Sequence, residues 1–448
     1  MATRKEPGGR RAARVDPGAM PQESRALPAE APRGHRTLAD RLAGPLLGFS
    51  LNGFFVYLGL LDVLDVSPRR GLTGAYYLLL GSVIAIVVWT RRAVLVERVR
   101  SGGRVALLFA VSAASLLVWL GLSALLFSEG ELSRRLGLQL VLWTVPTLLL
   151  ALSLDGPQLR AALLTVVVLG LVFAFVDLIA LLEVAISDRF SPIAELDPIT
   201  AGQICALAAV ALLPLGGWHG RAGIARLGAV SLLVACAFLP GSRGPVLALA
   251  VAALAVCVLS WRATGPRVVA ALLVGAVAGA LLAQAIGSAR HFTSNFSGAG
   301  ETGPISSTEI RKKLLGKALR AVPDRPLRGH GVGTLVDDTV EAKRMGIAGR
   351  RTYPHNTFIE AAYSAGVPGL ALLVAALAAA AWGLLRLLRR RGDPLVVFAV
   401  AFFAFAFVNA NVSNELAADA WLWSACGIAI ALAGAARLGS GGRPVAEP

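Results

Sequence analysis

Cysteine and charge are both scarce in this chain of 448 residues. Its four cysteines, Cys205, Cys236, Cys257 and Cys426, all fall inside apolar runs. Because none of them has the spacing of metal ligands, we expect neither a cysteine metal centre nor a disulfide framework. Charged residues make up 16% of the chain, against about a quarter in soluble domains. This composition argues against an ordinary soluble globular protein.

Sequence signals of several other protein classes are missing. No hydrophobic stretch follows the start at signal-peptide distance, so we expect no cleavage. The glycine-rich stretch 329–333 has no preceding strand and no following Lys-Ser/Thr pair, which argues against a phosphate-binding P-loop. Asp337 and Asp338 lack the DxD spacing of metal-dependent glycosyltransferases, and we interpret them as surface acids. The net charge of +16 lies mainly at the ends of apolar segments, which argues against nucleic-acid binding.

Long apolar runs dominate what is present. Hydrophobic residues make up 56% of the chain. Because only a helix satisfies its own backbone groups in lipid as an open segment, the runs predict an all-α, polytopic transmembrane bundle of about 12 spans. The predicted spans are 43–65, 73–90, 105–127, 136–154, 160–184, 198–215, 223–240, 245–261, 267–287, 356–385, 394–412 and 418–436.

Arginine placement predicts the topology. Arginines concentrate in alternate loops, such as the one from Arg91 to Arg104, and the positive-inside rule puts those loops in the cytoplasm. We therefore expect a disordered basic cytoplasmic tail, nine spans, one large periplasmic loop, three spans and a cytoplasmic tail. The corresponding ranges are 1–42, 43–287, 288–354, 355–436 and 437–448.

The large loop is itself basic, with twelve Lys and Arg residues against six acids. It is either a solvated loop or a site for an anionic substrate such as a lipid-linked diphosphate. Within it, Ser306 and Glu309 form a capping-box pattern that opens a helix running to about Val322. An apolar stripe along that helix predicts that it lies on the membrane surface or packs on the transmembrane helices. The stripe residues are Ile310, Leu314, Ala318 and Val322.

Histidine and aspartate supply the candidate acid–base groups. Pro354 suits the first position of a helix, which would place His355 in its first turn, where the helix dipole favours the neutral imidazole that a general base requires. The alternative is a structural, hydrogen-bonded histidine, and His330 in the glycine stretch is a weaker candidate. Asp177 lies inside an apolar run. Its expected partner is either a polar group of a neighbouring helix, such as Gln203 or Asn411, or an arginine of the active site.

Three motifs lie in order around the large loop: GSRGPVLALA from Gly241, STEIRKKLLGKALRAVPDRPLRGHGVGT from Ser307, and PHNTFIEAAYSAGVPG from Pro354. In order, spacing and outward placement they resemble the O-antigen ligase and O-antigen polymerase superfamily of bacterial membrane proteins. A fourth piece, ELDPITAGQ, resembles a segment where many members have Asn soon after Asp-Pro, but Ile199 and Thr200 stand there in this chain. The likeness in motifs covers about a third of the sequence.

The resemblance implies a GT-C-like inner-membrane enzyme that moves a glycan from undecaprenyl diphosphate to an acceptor hydroxyl on the periplasmic face. The acceptor is lipid A–core for a ligase and a lipid-linked repeat unit for a polymerase, and the sequence does not separate them. His355 would be the catalytic base, and Arg243 and Arg311 would bind the diphosphate. The reaction would be metal-independent and inverting, with no cofactor.

Other functions remain open from the residues alone. Many spans with intramembrane polar groups also suit a transporter or flippase for lipid-linked sugars, although no paired inverted repeat is visible. A non-catalytic subunit of an envelope complex is a third possibility. For the arginines, Arg243 could simply reach phospholipid head groups, and the neighbours of Arg311, Lys312 and Lys313, offer competing cations.

Overall fold

The fold was obtained as a computed structural model and is described for eight ranges of the chain. These are 37–63, 70–126, 131–183, 198–215, 218–286, 307–337, 349–390 and 393–438. Ser306, Asp338 and most of both predicted tails lie outside the described residues. Within these ranges the chain is almost entirely helical, so the predicted all-α membrane bundle is confirmed.

The first half of the bundle contains eight α-helices. They are α1 Leu38–Val63, α2 Arg70–Thr90, α3 Arg92–Ser101, α4 Gly103–Leu126, α5 Glu131–Gln139, α6 Val145–Ser153, α7 Gly156–Glu183 and α8 Pro198–Leu212. A π-helical turn, Leu140–Thr144, joins α5 to α6, so that these three pieces make one apolar stretch. The bent pair α2 and α3 turns by 64° at Arg91.

The second half contains six more α-helices and a short ribbon. The helices are α9 Gly220–Phe238, α10 Arg243–Ala285, α11 Ser307–Ala321, α12 Thr357–Leu387, α13 Pro394–Val412 and α14 Ala420–Leu438. Strands β1 Leu335–Asp337 and β2 Arg350–Thr352 pair antiparallel, with Val336 opposite Arg351. The ribbon therefore places the residues that lead into α12 beside the segment that follows α11.

Ten of the described helices or helix stretches are long and apolar enough to cross a membrane, and the bent pair α2–α3 would make eleven. Helix α10 supplies two of these spans, Arg243–Trp261 and Gly265–Ala285, because Gly265 has a positive φ that breaks the helix. The predicted first span corresponds to α1, of which side chains 53–63 lie outside the described residues. The chain is thus a multi-pass membrane protein.

Close helix crossings hold the bundle together where side chains are small. A Cβ on Gly275 or Gly279 of α10 would lie 2.5 and 2.7 Å from the carbonyl oxygens of Ser231 and Ala235 on α9. Only glycine permits this approach, and small residues at four-residue spacing are a recurrent device for packing helices in lipid. The crossing fixes the second span of α10, Gly265–Ala285, against α9.

Arg91, expected as a topology signal, is also an internal link. Its side chain is buried between helices and donates to the Ser153 carbonyl at 2.6 Å and to Gln158 Oε1 at 2.8 Å. Asp40 of α1 forms an ion pair with the same guanidinium. A buried arginine is tolerated only with such partners, so it connects α1, α6 and α7 at the bend between α2 and α3.

Candidate active site

Three separate segments meet at the end of α13. The Nη1 group of Arg311, on α11, donates to the Val412 carbonyl at 2.7 Å. The Tyr353 hydroxyl donates to the next carbonyl, that of Ser413, at 3.0 Å. At the start of α10, a Cβ on Gly244 would lie 2.6 Å from the Ser413 Oγ. The end of α13 therefore gathers the beginnings of α10 and α11 and the segment that leads into α12.

His355 lies in this gathered region, but not in the first turn of a helix. Helix α12 begins at Thr357, and Asn356 is its N-cap, with a side chain that accepts from the Ile359 N–H at 3.0 Å. The predicted placement of Pro354 and His355 inside the helix is therefore wrong. The helix begins after Asn356 because the asparagine side chain accepts a hydrogen bond from a helix N–H, which proline and histidine would leave without a partner.

The backbone of His355 adopts a left-handed conformation, with a φ of 54°. It is the one non-glycine residue with positive φ in the described part of the chain. Such a conformation costs on the order of 1 kcal/mol and persists where the surroundings over-determine it. Its ring packs on that of Tyr353 at a centroid distance of 4.3 Å, and its buried Nδ1 has no hydrogen-bond partner among the described residues.

The imidazole is held in its neutral form. Burial lowers the pKa of His355, and the nearby positive charge of Arg311 lowers it further, to about 4. The predicted reason, the dipole of α12, is not the main cause. Above pH 5 the ring is therefore uncharged and able to accept a proton, although its lowered pKa makes it a weak base.

Arg243 stands at the N-terminus of α10, directly before the glycine that touches Ser413. The residue is partly buried, and it follows Ser242, whose backbone is extended at the N-cap position. A helix N-terminus carries a partial positive charge, so the guanidinium and the helix end favour an anion together. All three predicted site residues thus belong to segments that meet at the end of α13.

The glycine stretch that follows α11 has a packing role. The N–H groups of His330 and Gly331 donate to the carbonyls of Tyr363 and Ser364, at 2.7 and 3.2 Å. A Cβ on Gly329 would lie 2.5 Å from the Ser364 backbone, which explains the glycine there. Helix α12 is broken at Gly366, which has a φ of 73°, and these contacts satisfy carbonyls that the break leaves without helical partners.

The weaker candidate, His330, also has a structural environment. Its Nε2 lies 2.7 Å from the Ala321 carbonyl, and its ring stacks on Tyr363 at 4.8 Å between centroids. Asp337, interpreted from the sequence as a surface acid, is buried with 5% exposure, so that interpretation is wrong. Its backbone carbonyl accepts from the Gly349 N–H at 2.8 Å, which ties together the two ends of the ribbon.

Helix α11 packs on α12 through its predicted apolar stripe. Leu314 and Ala318 are buried against Tyr363 and Leu335, with Ile310 beside them. Of the two interpretations of this amphipathic helix, packing on the transmembrane helices is therefore the one observed for the stripe. This packing orients Arg311 toward the end of α13.

Acidic residues that the sequence analysis did not single out lie near the end of α13 and the start of α12. Glu360 of α12 is buried, and its Oε2 accepts from the Leu416 N–H at 3.0 Å. Burial raises the pKa of Glu415 and of Asp419 to about 7, in the turn between α13 and α14. Their position in an outer turn just after Asn411-Val-Ser was the available sequence signal. Partial protonation at neutral pH limits how far they offset the positive charge of the arginines.

Asp177 is not joined to these groups. It is fully buried in α7, and its Oδ2 accepts from the Cys205 thiol at 3.7 Å. The partners expected from the sequence bond elsewhere, Gln203 to Asn409 at 2.9 Å and Asn411 to a carbonyl of its own helix at 2.8 Å. The hypothesis of a site arginine as partner gains no support from the described residues.

Comparison with known families bears on these three segments. Residues 228–374 match the family described as O-antigen ligase. The match confirms the resemblance to the O-antigen ligase superfamily. The matched range contains Arg243, Arg311 and His355, while the end of α13 lies outside it. O-antigen ligase proteins are glycosyltransferase-like enzymes of lipopolysaccharide biosynthesis in the inner membrane. No curated protein matches the chain.

Tyr353 offers a first prediction for an enzyme of this kind. Tyr353→Phe removes the hydrogen bond to Ser413 and keeps the ring against His355, whereas Tyr353→Leu removes both. One neutral hydrogen bond is worth about 1 kcal/mol, so we expect about a fivefold loss of kcat for the phenylalanine variant. The leucine variant should lose more, with an unchanged donor KM in both. Parental activity in both variants would remove Tyr353 as a positioning residue.

Proposed function

We propose that this protein transfers a glycan from undecaprenyl diphosphate to an acceptor hydroxyl, as a metal-independent, inverting glycosyltransferase acting on the periplasmic face. One observation carries the proposal. Arg243, Arg311 and His355, which together span more than a hundred positions and lie inside the matched family range, stand on segments that converge on the end of α13. This supplies cations for a diphosphate and a neutral base in one place.

The donor diphosphate would bind between the two arginines. A guanidinium can grip phosphate oxygens through two parallel N–H groups, and Arg243 adds its charge to that of the α10 N-terminus. The bond to the Val412 carbonyl holds the guanidinium of Arg311 at the end of α13, beside the start of α10 where the diphosphate would bind. This arrangement stabilises negative charge that grows on the diphosphate as it departs.

The chemical step needs one proton transfer and one displacement. His355 takes the proton of the acceptor hydroxyl as the oxygen attacks the anomeric carbon from the side opposite the diphosphate. The carbon–oxygen bond to the diphosphate breaks, and its electron pair leaves with undecaprenyl diphosphate. One glycosidic bond forms with inverted configuration, and the proton on His355 is then released to water or to the leaving group.

Donor binding would also prepare the base. The charge of Arg311 is one of the two causes that lower the pKa of His355. A bound diphosphate places negative charge beside that guanidinium, so it offsets the charge and raises the basicity of the imidazole. Donor binding would therefore raise the pKa of His355, while the lowering that comes from burial, the larger cause, remains.

The glycan phenotype of a deletion strain tests the proposal and separates its two forms. For a ligase, which we favour, we expect loss of long-chain material on the lipid A–core while lipid-linked polymer accumulates. For a polymerase, single repeats would appear on the lipid A–core in its place. Complementation by the parental gene controls for polar effects. An unchanged glycan profile, in the absence of a second copy of the gene, contradicts the proposed function.

A further inference from the structure

The last residues of α11 and the turn that follows them expose arginines and leucines together. In this interfacial turn, residues 319–328, the side chains of Leu319 and Leu327 are 55% and 75% exposed. Arg320, Arg325 and Arg328 are exposed beside them. Asp324 is the single acid among these ten residues. The apolar stripe of α11 is already buried on α12, so it does not account for these leucines.

The depth of the turn follows from its contacts with α12. That helix is broken at Gly366, which has a φ of 73°. The Val367 N–H donates to the Pro326 carbonyl at 2.7 Å, and a Cβ on Gly366 would lie 2.6 Å from the Leu327 carbonyl oxygen. The interfacial turn is thus fastened to the break, and it satisfies a backbone group that the break exposes.

The part of α12 after the break is as long as the hydrocarbon core of a bilayer is thick. Residues 367–387 form about 30 Å of helix at 1.5 Å per residue, which equals the thickness of the hydrocarbon core. With residues 367–387 across the hydrocarbon core, the turns of α12 before the break project from the bilayer. Val367, 52% exposed, then lies with Leu327 at its boundary.

The chemistry of the interfacial turn fits one occupant. Leucine side chains that enter the acyl region, with arginines at the level of the phosphates, are the pattern of interfacial membrane segments. We infer that the interfacial turn is a lipid-binding surface, with Leu319 and Leu327 in the acyl chains and Arg320, Arg325 and Arg328 on anionic phospholipid head groups. The inference concerns anchoring and does not depend on the transfer reaction.

Anchoring has a consequence for Arg311. This arginine and the interfacial turn belong to the same rigid segment, because α11 runs without a break from Ser307 to Ala321. A turn held at the phosphate plane therefore fixes the height of Arg311 above the bilayer. A lipid-linked diphosphate lies near that same plane, so anchoring of the interfacial turn holds Arg311 at a fixed height relative to such an anion.

The test places an environment-sensitive NBD label at Leu327→Cys, in full-length protein whose four native cysteines are replaced. Glu309→Cys, an exposed position at the other end of α11, is the matched control. Both are reconstituted in phosphatidylcholine vesicles with and without phosphatidylglycerol, together with lipids quenching at a shallow acyl position. For an interfacial segment we expect at least about twofold stronger quenching at 327 than at 309.

Charge reversal tests the head-group part. Phosphatidylglycerol should increase the quenching at 327, and Arg325→Glu should cancel that increase, whereas Lys312→Glu on the exposed side of α11 should not. Equal quenching at 327 and 309 in all vesicles overturns the inference. Quenching that ignores both phosphatidylglycerol and Arg325→Glu overturns the role of the arginines. If residue 327 enters an apolar environment only when glycan-acceptor lipid is added, or only in native membranes with their proteins, phospholipid is not the ligand of this surface.

Discussion

His355→Ala should lower the rate of glycan transfer by about 10²–10⁴-fold, the usual cost of removing a general base. The reason is that the neutral imidazole is the group proposed to take the acceptor proton. Membrane insertion and protein level should stay unchanged, because the helix cap of α12 is made by Asn356 and not by the histidine. Transfer is measured with purified variants at equal protein amounts, with donor binding measured separately.

His355→Gln separates a base from a structural residue. The amide can form a hydrogen bond but does not accept a proton at working pH, so the glutamine variant should be as inactive as alanine. The pH profile supplies a second control. Because the pKa of His355 is lowered to about 4, the acidic limb of kcat/KM in the parental protein should fall near pH 4 and not near 6.5. Near-parental turnover by His355→Gln returns the residue to a structural role.

Replacing either arginine with lysine should cost at least about tenfold in transfer, or about 1.4 kcal/mol, because the charge stays while the two-pronged grip on phosphate is lost. The loss should appear mainly as weaker donor binding for Arg243→Lys, which keeps the helix N-terminus. Arg311→Lys should in addition loosen the contact with Val412, so its melting temperature is measured alongside. Steady-state kinetics with a lipid-linked donor give both parameters.

Lys312→Ala provides the matched control for the arginines. Lys312 neighbours Arg311 in the sequence but is exposed, whereas Arg311 is partly buried. We expect its removal to change transfer by less than about twofold, as for solvated surface charges. If Lys312→Ala is as damaging as Arg311→Lys, the basic character of the loop matters and the specific position of Arg311 does not.

Much of the architecture was predictable because lipid imposes simple rules. Apolar runs of sufficient length must be helices in a bilayer, and the described helices follow the predicted spans closely. The stripe of Leu314 and Ala318 predicted a packed face of α11 by its period alone. The topology and the domain boundaries remain predictions.

The details of the site depend on tertiary contacts that no local pattern encodes. Proline before a helix suggested that His355 lies in the first turn, but the cap made by Asn356 moved the helix start and left the histidine with positive φ. The hydrogen bond from the Tyr353 hydroxyl to the Ser413 carbonyl joins positions sixty residues apart, and no local pattern predicts it. The family motifs identified which residues to examine, while the end of α13 explains why they are together.

The buried acids show the same limit. Glu360 lies inside the predicted span 356–385, close to its start, where the sequence alone does not tell a buried acid from one exposed at the membrane surface. Its burial follows from the Leu416 N–H that it accepts from, in a turn that folds back under α12. Asp337 was misjudged for the same reason, because the ribbon covers it only once both strands have paired.

The central claim is that this chain itself joins a glycan to an acceptor through His355. It is tested most directly with the purified protein in lipid vesicles that contain a polyprenyl-diphosphate-linked glycan and a lipid A–core acceptor, with a metal chelator present. We predict glycosylated acceptor and released polyprenyl diphosphate in equal amounts from the parental protein, and neither from His355→Gln. No product from the parental protein with both substrates bound, or equal product from His355→Gln, would contradict the account.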